Sequence, residues 1–177
     1  MNRRDFVLGG TALLAGCSTP GVKLDAPYVS TPQSVVDSML ALAGVKRNEM
    51  VYDLGCGDGR IVITAARRFG ARGVGIDIDP KRIEEANAAA RSAGVAGQVR
   101  FAIQDLFQTD FSDADVVAVY LFPELNARLL PKFRKELRPG TRVVSHQFLI
   151  GDWPPVARET VWSGTIDHQV YLWRVGA

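Results

Sequence analysis

Between Val51 and Arg60 the chain reads Val-Tyr-Asp-Leu-Gly-Cys-Gly-Asp-Gly-Arg, with glycines at 55, 57 and 59. A glycine-rich turn between a strand and a helix lets a ligand approach the backbone, at the place where doubly wound sheets bind their ligands. A dinucleotide fingerprint needs Gly-x-Gly-x-x-Gly, so that amides at a helix N-terminus receive a pyrophosphate. Here the third glycine, Gly59, comes one residue early and Arg60 holds the dinucleotide position, so the loop is not spaced for a pyrophosphate. A second carboxylate, Asp77, follows Asp53 by 24 residues at the end of a strand pattern, where its two oxygens can accept from both hydroxyls of a ribose. Asp79 reads as a helix cap and Asp58 as a loop acid. The chain's two histidines, His146 and His168, read as satisfied structural residues, although His146 follows a strand and could line the same pocket.

The elements that must position these residues alternate between strand and helix patterns. Thr31 can cap a helix that begins at Pro32 and runs to Gly44, with Val35, Val36, Met39 and Leu40 at helical spacing. A strand over Met50–Asp53 feeds the glycine turn and a helix closed by Gly70. Gly73–Asp77 is the next strand, and Asp79-Pro80 opens a helix that ends at Gly94. Strands follow over Val99–Ile103 and Asp115–Tyr120, then a helix over Glu124–Leu137 broken or restarted at Pro131. A strand over Thr141–Ser145 and a hairpin near Ala157–Ser163 and Gln169–Val175 complete the chain. The fold class is α/β, a Rossmann-like, doubly wound, mostly parallel seven-stranded sheet with a C-terminal antiparallel hairpin.

Composition bounds the function classes. The 177 residues suit one domain with its own core. Lys plus Arg number 21 against 19 Asp plus Glu, which supplies no broad attraction to a phosphate backbone, so nucleic acid is not the favoured partner. Trp153, Trp162, Trp173 and Tyr171 carry no basic run between them, and read as edge and core packing. Two cysteines, Cys17 and Cys56, exclude a disulfide framework and multi-cysteine metal clusters, and no metal is expected.

The sequence Asp53-x-Gly55-x-Gly57-x-Gly59 resembles motif I of the class I S-adenosylmethionine-dependent methyltransferases, in which the loop wraps the amino-acid end of the cofactor. The resemblance implies S-adenosyl-L-methionine as cofactor, Asp77 on its ribose and Asp105 on its adenine amino group. It covers nearly all of residues 28–155 and is closest to the archaeal and mitochondrial-type protein-lysine methyltransferases. It also implies that Tyr28 and Thr31 fold over the cofactor as part of a lid. In this fold the segment Tyr120-Leu121-Phe122-Pro123 abuts the reacting methyl group. It lacks the Asn or Asp and paired prolines with which amino-methylases of adenine or glutamine grip a planar nitrogen. An apolar, aromatic wall suits a protein lysine amine, because desolvation favours its neutral, nucleophilic form. Tyr120, Phe122, Pro123 and Glu124 are therefore the expected catalytic positions, with Tyr120 or Glu124 able to orient the amine or take its proton. Two other readings stay open, methylation of a small molecule or lipid, and a non-catalytic envelope-displayed module that binds the cofactor.

The N-terminus resembles an address. Arg3-Arg4 followed by Asp5-Phe6-Val7-Leu8 resembles a twin-arginine export signal, and Leu14-Ala15-Gly16-Cys17 resembles a lipoprotein cleavage and acylation site. The expected organisation is a signal peptide over 1–16, a lipidated Cys17 with a tether over 17–27, and a methyltransferase domain over 28–177. The expected location is the bacterial cell envelope with a lipid anchor in the membrane, the alternative being the cytoplasm.

Overall fold

The computed structural model describes residues 29–176. Tyr28, Cys17, the signal and the tether lie outside the described residues. The elements run α1 (Gln33–Leu42), β1 (Met50–Leu54), α2 (Arg60–Phe69), β2 (Arg72–Asp77), α3 (Pro80–Ser92), β3 (Val99–Ile103), β4 (Val116–Val119), α4 (Pro123–Glu136), β5 (Arg142–His146), β6 (Ala157–Trp162) and β7 (Asp167–Arg174). The seven strands form one sheet in the order β3-β2-β1-β4-β5-β7-β6. Strands β1 to β5 pair in parallel, while β7 is antiparallel to both β5 and β6. This is the expected Rossmann-like sheet with its antiparallel hairpin.

Strand periodicity explains why both faces are covered. Side chains alternate faces along a strand, so Val51, Val116, Ala118 and Val144 join α1, α2 and α3 in one core. Their neighbours Tyr52, Val117, Val119 and Val143 join α4 in the other, with Phe111, Phe133 and Trp173. Strand order reverses at β1, whose neighbours are β2 and β4. Connections leave that point in opposite directions and open a crevice at the carboxyl ends of the strands.

Two local expectations are corrected. Thr31 does not cap α1: Pro32 occupies that position, with no side-chain cap, and the helix starts one residue later. The Thr31 hydroxyl is turned instead toward His146. Helix α4 runs unbroken through Pro131. An interior proline costs a helix ~3 kcal/mol, but Pro131 is exposed while Leu129, Leu130 and Phe133 beside it are buried. Burial of such side chains contributes roughly 1.5–3 kcal/mol each, so tertiary packing outweighs the missing bond.

Candidate active site

The loop after β1 is pinned to β2 before any ligand is considered. Gly55 and Cys56 both donate their backbone N–H to the Ile76 carbonyl, at 2.8 and 2.9 Å. Gly57 N–H donates to Asp77 Oδ2 at 2.9 Å, and Asp79 N–H donates to Asp77 Oδ1 at 3.0 Å. Asp77 therefore organises the loop while keeping lone pairs for a ligand. Gly59 sits at φ +77°, and a Cβ there would meet the Phe101 ring at 2.5 Å. Only glycine allows the turn to enter α2 so close to β3.

These loops meet at a cleft of about 1030 Å³, a volume that includes its open mouth. Thr31, Asp53, Gly55, Asp77 and Asp105 line it together with Tyr120. Gly57 and Gly59 belong to the same loop as Gly55 but stand outside the lining. Phe122, Pro123 and Glu124 stand outside the lining: Pro123 begins α4, Glu124 is exposed in its first turn, and Phe122 leans on Phe148 with ring centroids 6.0 Å apart. Asp105 accepts from Phe107 N–H at 2.8 Å, which fixes its carboxylate at the turn after β3.

The floor is acidic. Asp53 is 2% exposed, and burial first, then the charges of Asp77 and Asp58, push its pKa up to about 8. The same burial and carboxylates push the Cys56 thiol upward, which keeps it protonated and unreactive. Burial also raises the Tyr120 hydroxyl, so near neutral pH it is a hydrogen-bonding group and not a charge. With Asp53 protonated near neutral pH, four other aspartates and two arginines contribute to the lining, an imbalance that favours a cationic ligand.

Three sets of contacts are not legible in the sequence. Arg60 Nε donates to Asp58 Oδ1 at 2.9 Å, and its Nη1 donates to the Thr31 carbonyl at 2.7 Å, so the residue in the dinucleotide glycine's place ties the N-terminal strap to the loop. The Asp58-x-Arg60 spacing could have suggested the ion pair, though not the strap. His146 packs against the Tyr120 ring at a 35° tilt with centroids 3.9 Å apart and bonds His168 at 2.8 Å. Phe148 lies parallel to Tyr120 at 6.3 Å and extends the aromatic wall.

Residues 53–157 match the ANTKMT methyltransferase domain. The chain is 47% identical over 151 residues to a protein-lysine N-methyltransferase of Saccharolobus islandicus, covering 85% of this chain and 94% of that one. It is 36% identical over 153 residues to the adenine nucleotide translocase lysine N-methyltransferase of Mus musculus, covering 86% and 66%. The crystal structure of a Salinibacter ruber RNA methyltransferase in complex with S-adenosyl-L-homocysteine superposes with a TM-score of 0.77 at 50% identity, covering 83% and 94%. The chain belongs to the ANTKMT methyltransferase family.

As a family member it is an S-adenosylmethionine-dependent methyltransferase. The donor set fits the cofactor: a ligand that carries a sulfonium and an ammonium would favour the ionised form of the buried Asp53. Asp77 retains acceptor capacity for ribose hydroxyls, and the cleft accommodates a ligand of drug-like size. Bound there, the cofactor supplies an electrophilic methyl group on positively charged sulfur. The chain contributes orientation: Asp53 and Gly55 line the cleft with Tyr120, Leu121 and Leu125, and reacting atoms held in line need little further help.

Proposed function

We propose that this methyltransferase acts on the side-chain amine of a protein lysine. The observation that carries the reading is the wall of Tyr120, Leu121 and Leu125 on the cleft, continued by Phe148 and Phe122. It offers aromatic faces and aliphatic surface, with no carboxamide grip for a planar nitrogen. A lysine amine entering such a wall is desolvated, which favours the neutral form. Once its ammonium proton has passed to solvent, the amine lone pair would form the N–C bond as the C–S bond breaks and S-adenosylhomocysteine leaves with the electron pair, and the aromatic faces tolerate the cationic product. The names of the Saccharolobus and Mus relatives support the same acceptor.

The test incubates the protein with methyl-labelled S-adenosylmethionine and whole-cell extract. Label removed by protease and retained after nuclease supports the reading, whereas label removed by nuclease moves the acceptor to RNA, and label extracted by solvent moves it to a lipid or small molecule. Cofactor binding without transfer points to the non-catalytic module.

We further propose an envelope location, resting on Arg3-Arg4 and the Leu14–Cys17 segment. Twin-arginine export carries folded proteins, so the enzyme leaves with its domain assembled. A Cys17→Ala variant is expected to lose membrane association. Unchanged fractionation of the variant would place the protein's anchorage elsewhere or return it to the cytoplasm.

A further inference from the structure

The chain's two histidines meet between the cleft and the edge hairpin. Thr31 Oγ1 lies 3.2 Å from His146 Nδ1, His146 Nε2 lies 2.8 Å from His168 Nδ1, and His168 Nε2 lies 3.1 Å from Ser163 Oγ. All but Ser163 are buried. The sheet register accounts for the meeting: His146 is paired with Val170 across β5 and β7, and His168 is the next residue on that face.

The direction of these bonds follows from proton bookkeeping. A neutral imidazole has one N–H and one bare nitrogen, and a hydroxyl has one proton. Ser163 donates its proton to the Ile166 carbonyl at 3.3 Å, so its oxygen receives the Nε2–H of His168. His168 Nδ1 is then bare and accepts the Nε2–H of His146. His146 Nδ1 is bare in turn and accepts the proton of Thr31. Burial, then the neighbouring His168, lowers His146 to about 4, which keeps the ring neutral near neutral pH. The imidazole also packs against the Tyr120 ring, tilted by 35°.

Thr31 also lines the cleft, and its carbonyl is held by Arg60 beside the motif I loop. With its only proton committed to His146, its hydroxyl can offer a ligand a lone pair and no proton. We propose that His146, oriented by His168, is a positioning residue that sets the polarity of the Thr31 hydroxyl so that Thr31 accepts a hydrogen bond from the ammonium at the amino-acid end of the cofactor. The adjoining carboxylate of that ligand receives nothing from Thr31. The inference rests on the cofactor assignment and is independent of the acceptor.

The test is calorimetric binding of S-adenosylhomocysteine, which has the amino-acid end, against 5′-methylthioadenosine, which lacks it. Thr31→Val and His146→Phe are each expected to weaken S-adenosylhomocysteine by about tenfold or more, as for a lost bond to a charged group, and to leave methylthioadenosine within about twofold. The double variant should lose no more than either single one, because the two residues act through one bond. His146→Asn, whose Oδ1 can accept in place of Nδ1, should recover part of the loss. Equal weakening of both ligands would mean a merely structural role and overturn the proposal, as would additive losses. Nitrogen-15 imidazole shifts of the unaltered protein give a second reading that does not depend on any variant folding: both histidines are expected as Nε2–H tautomers, and an Nδ1–H tautomer at His146 overturns the assignment.

Discussion

The two halves of the sheet hold their parts of the site by different means. At β1 to β3 the decisive residues sit within a few positions of a strand end, and most of their bonds are short-range, such as Asp77 to Asp79 and Asp105 to Phe107. At β4 to β7 the pocket wall depends on groups far apart in the chain: Tyr120 rests on His146, and His146 on Thr31, 115 positions away. A single carboxylate should therefore govern the first half, whereas the second should respond to the shape and support of its wall.

The largest expected effect is at Asp77. Asp77→Ala removes an acceptor for the ribose together with the anchor of Gly57 and Asp79. Charge-assisted bonds contribute ~1.5–3 kcal/mol each, so the dissociation constant for S-adenosylhomocysteine should rise by about a hundredfold or more by calorimetry. A change under about tenfold would show that the loop does not depend on it. Next comes Tyr120, where the ring and not the hydroxyl should matter. Tyr120→Ala should lower kcat/KM by roughly tenfold to a hundredfold, while Tyr120→Phe, which keeps the stack on His146 and Phe148, should stay within a few-fold. Equal losses would assign the hydroxyl a direct role in the chemistry.

Two smaller effects sharpen the contrast through charge. Asp53 has a folded pKa raised from 3.8 to about 8, so between those values the folded state holds more protons than the unfolded one, and stability falls as pH rises. His146 is lowered from 6.5 to about 4 and acts oppositely: the unfolded state binds more protons there, and stability rises with pH up to about 6.5. The two contributions oppose each other below that point, and only the Asp53 contribution remains from about 6.5 to 8. Asp53→Asn should flatten the fall in melting temperature across that upper window, measured without ligand, and an unchanged slope would remove Asp53 as its source. The smallest expected effect is at Arg60, which is about one-third exposed. Arg60→Ala frees the Thr31 carbonyl and should weaken cofactor binding only a few-fold, so a loss as large as that at Asp77 would show the strap to be as decisive as the loop.

The same contrast decides what is legible in the sequence alone. The motif I glycines, Asp53 and Asp77 can be placed because each belongs to a strand end whose pattern is local, Asp105 only through the family resemblance, and the sheet class follows from alternating elements. Thr31 reads as a helix cap because its partner, His146, comes together with it only through the folded sheet. Pro131 reads as a break because local propensity cannot register the burial of Leu129 and Phe133. The His146–His168 bond needs the β5–β7 register, which no local spacing encodes.

The proposed acceptor at the Tyr120 wall is a protein lysine. The most direct measurement is chromatographic identification of the labelled amino acid after acid hydrolysis of extract protein methylated by the purified enzyme with methyl-labelled S-adenosylmethionine. The expected product is Nε-methylated lysine. Label in methylarginine or another amino acid, or label released by nuclease with none in protein, would contradict it.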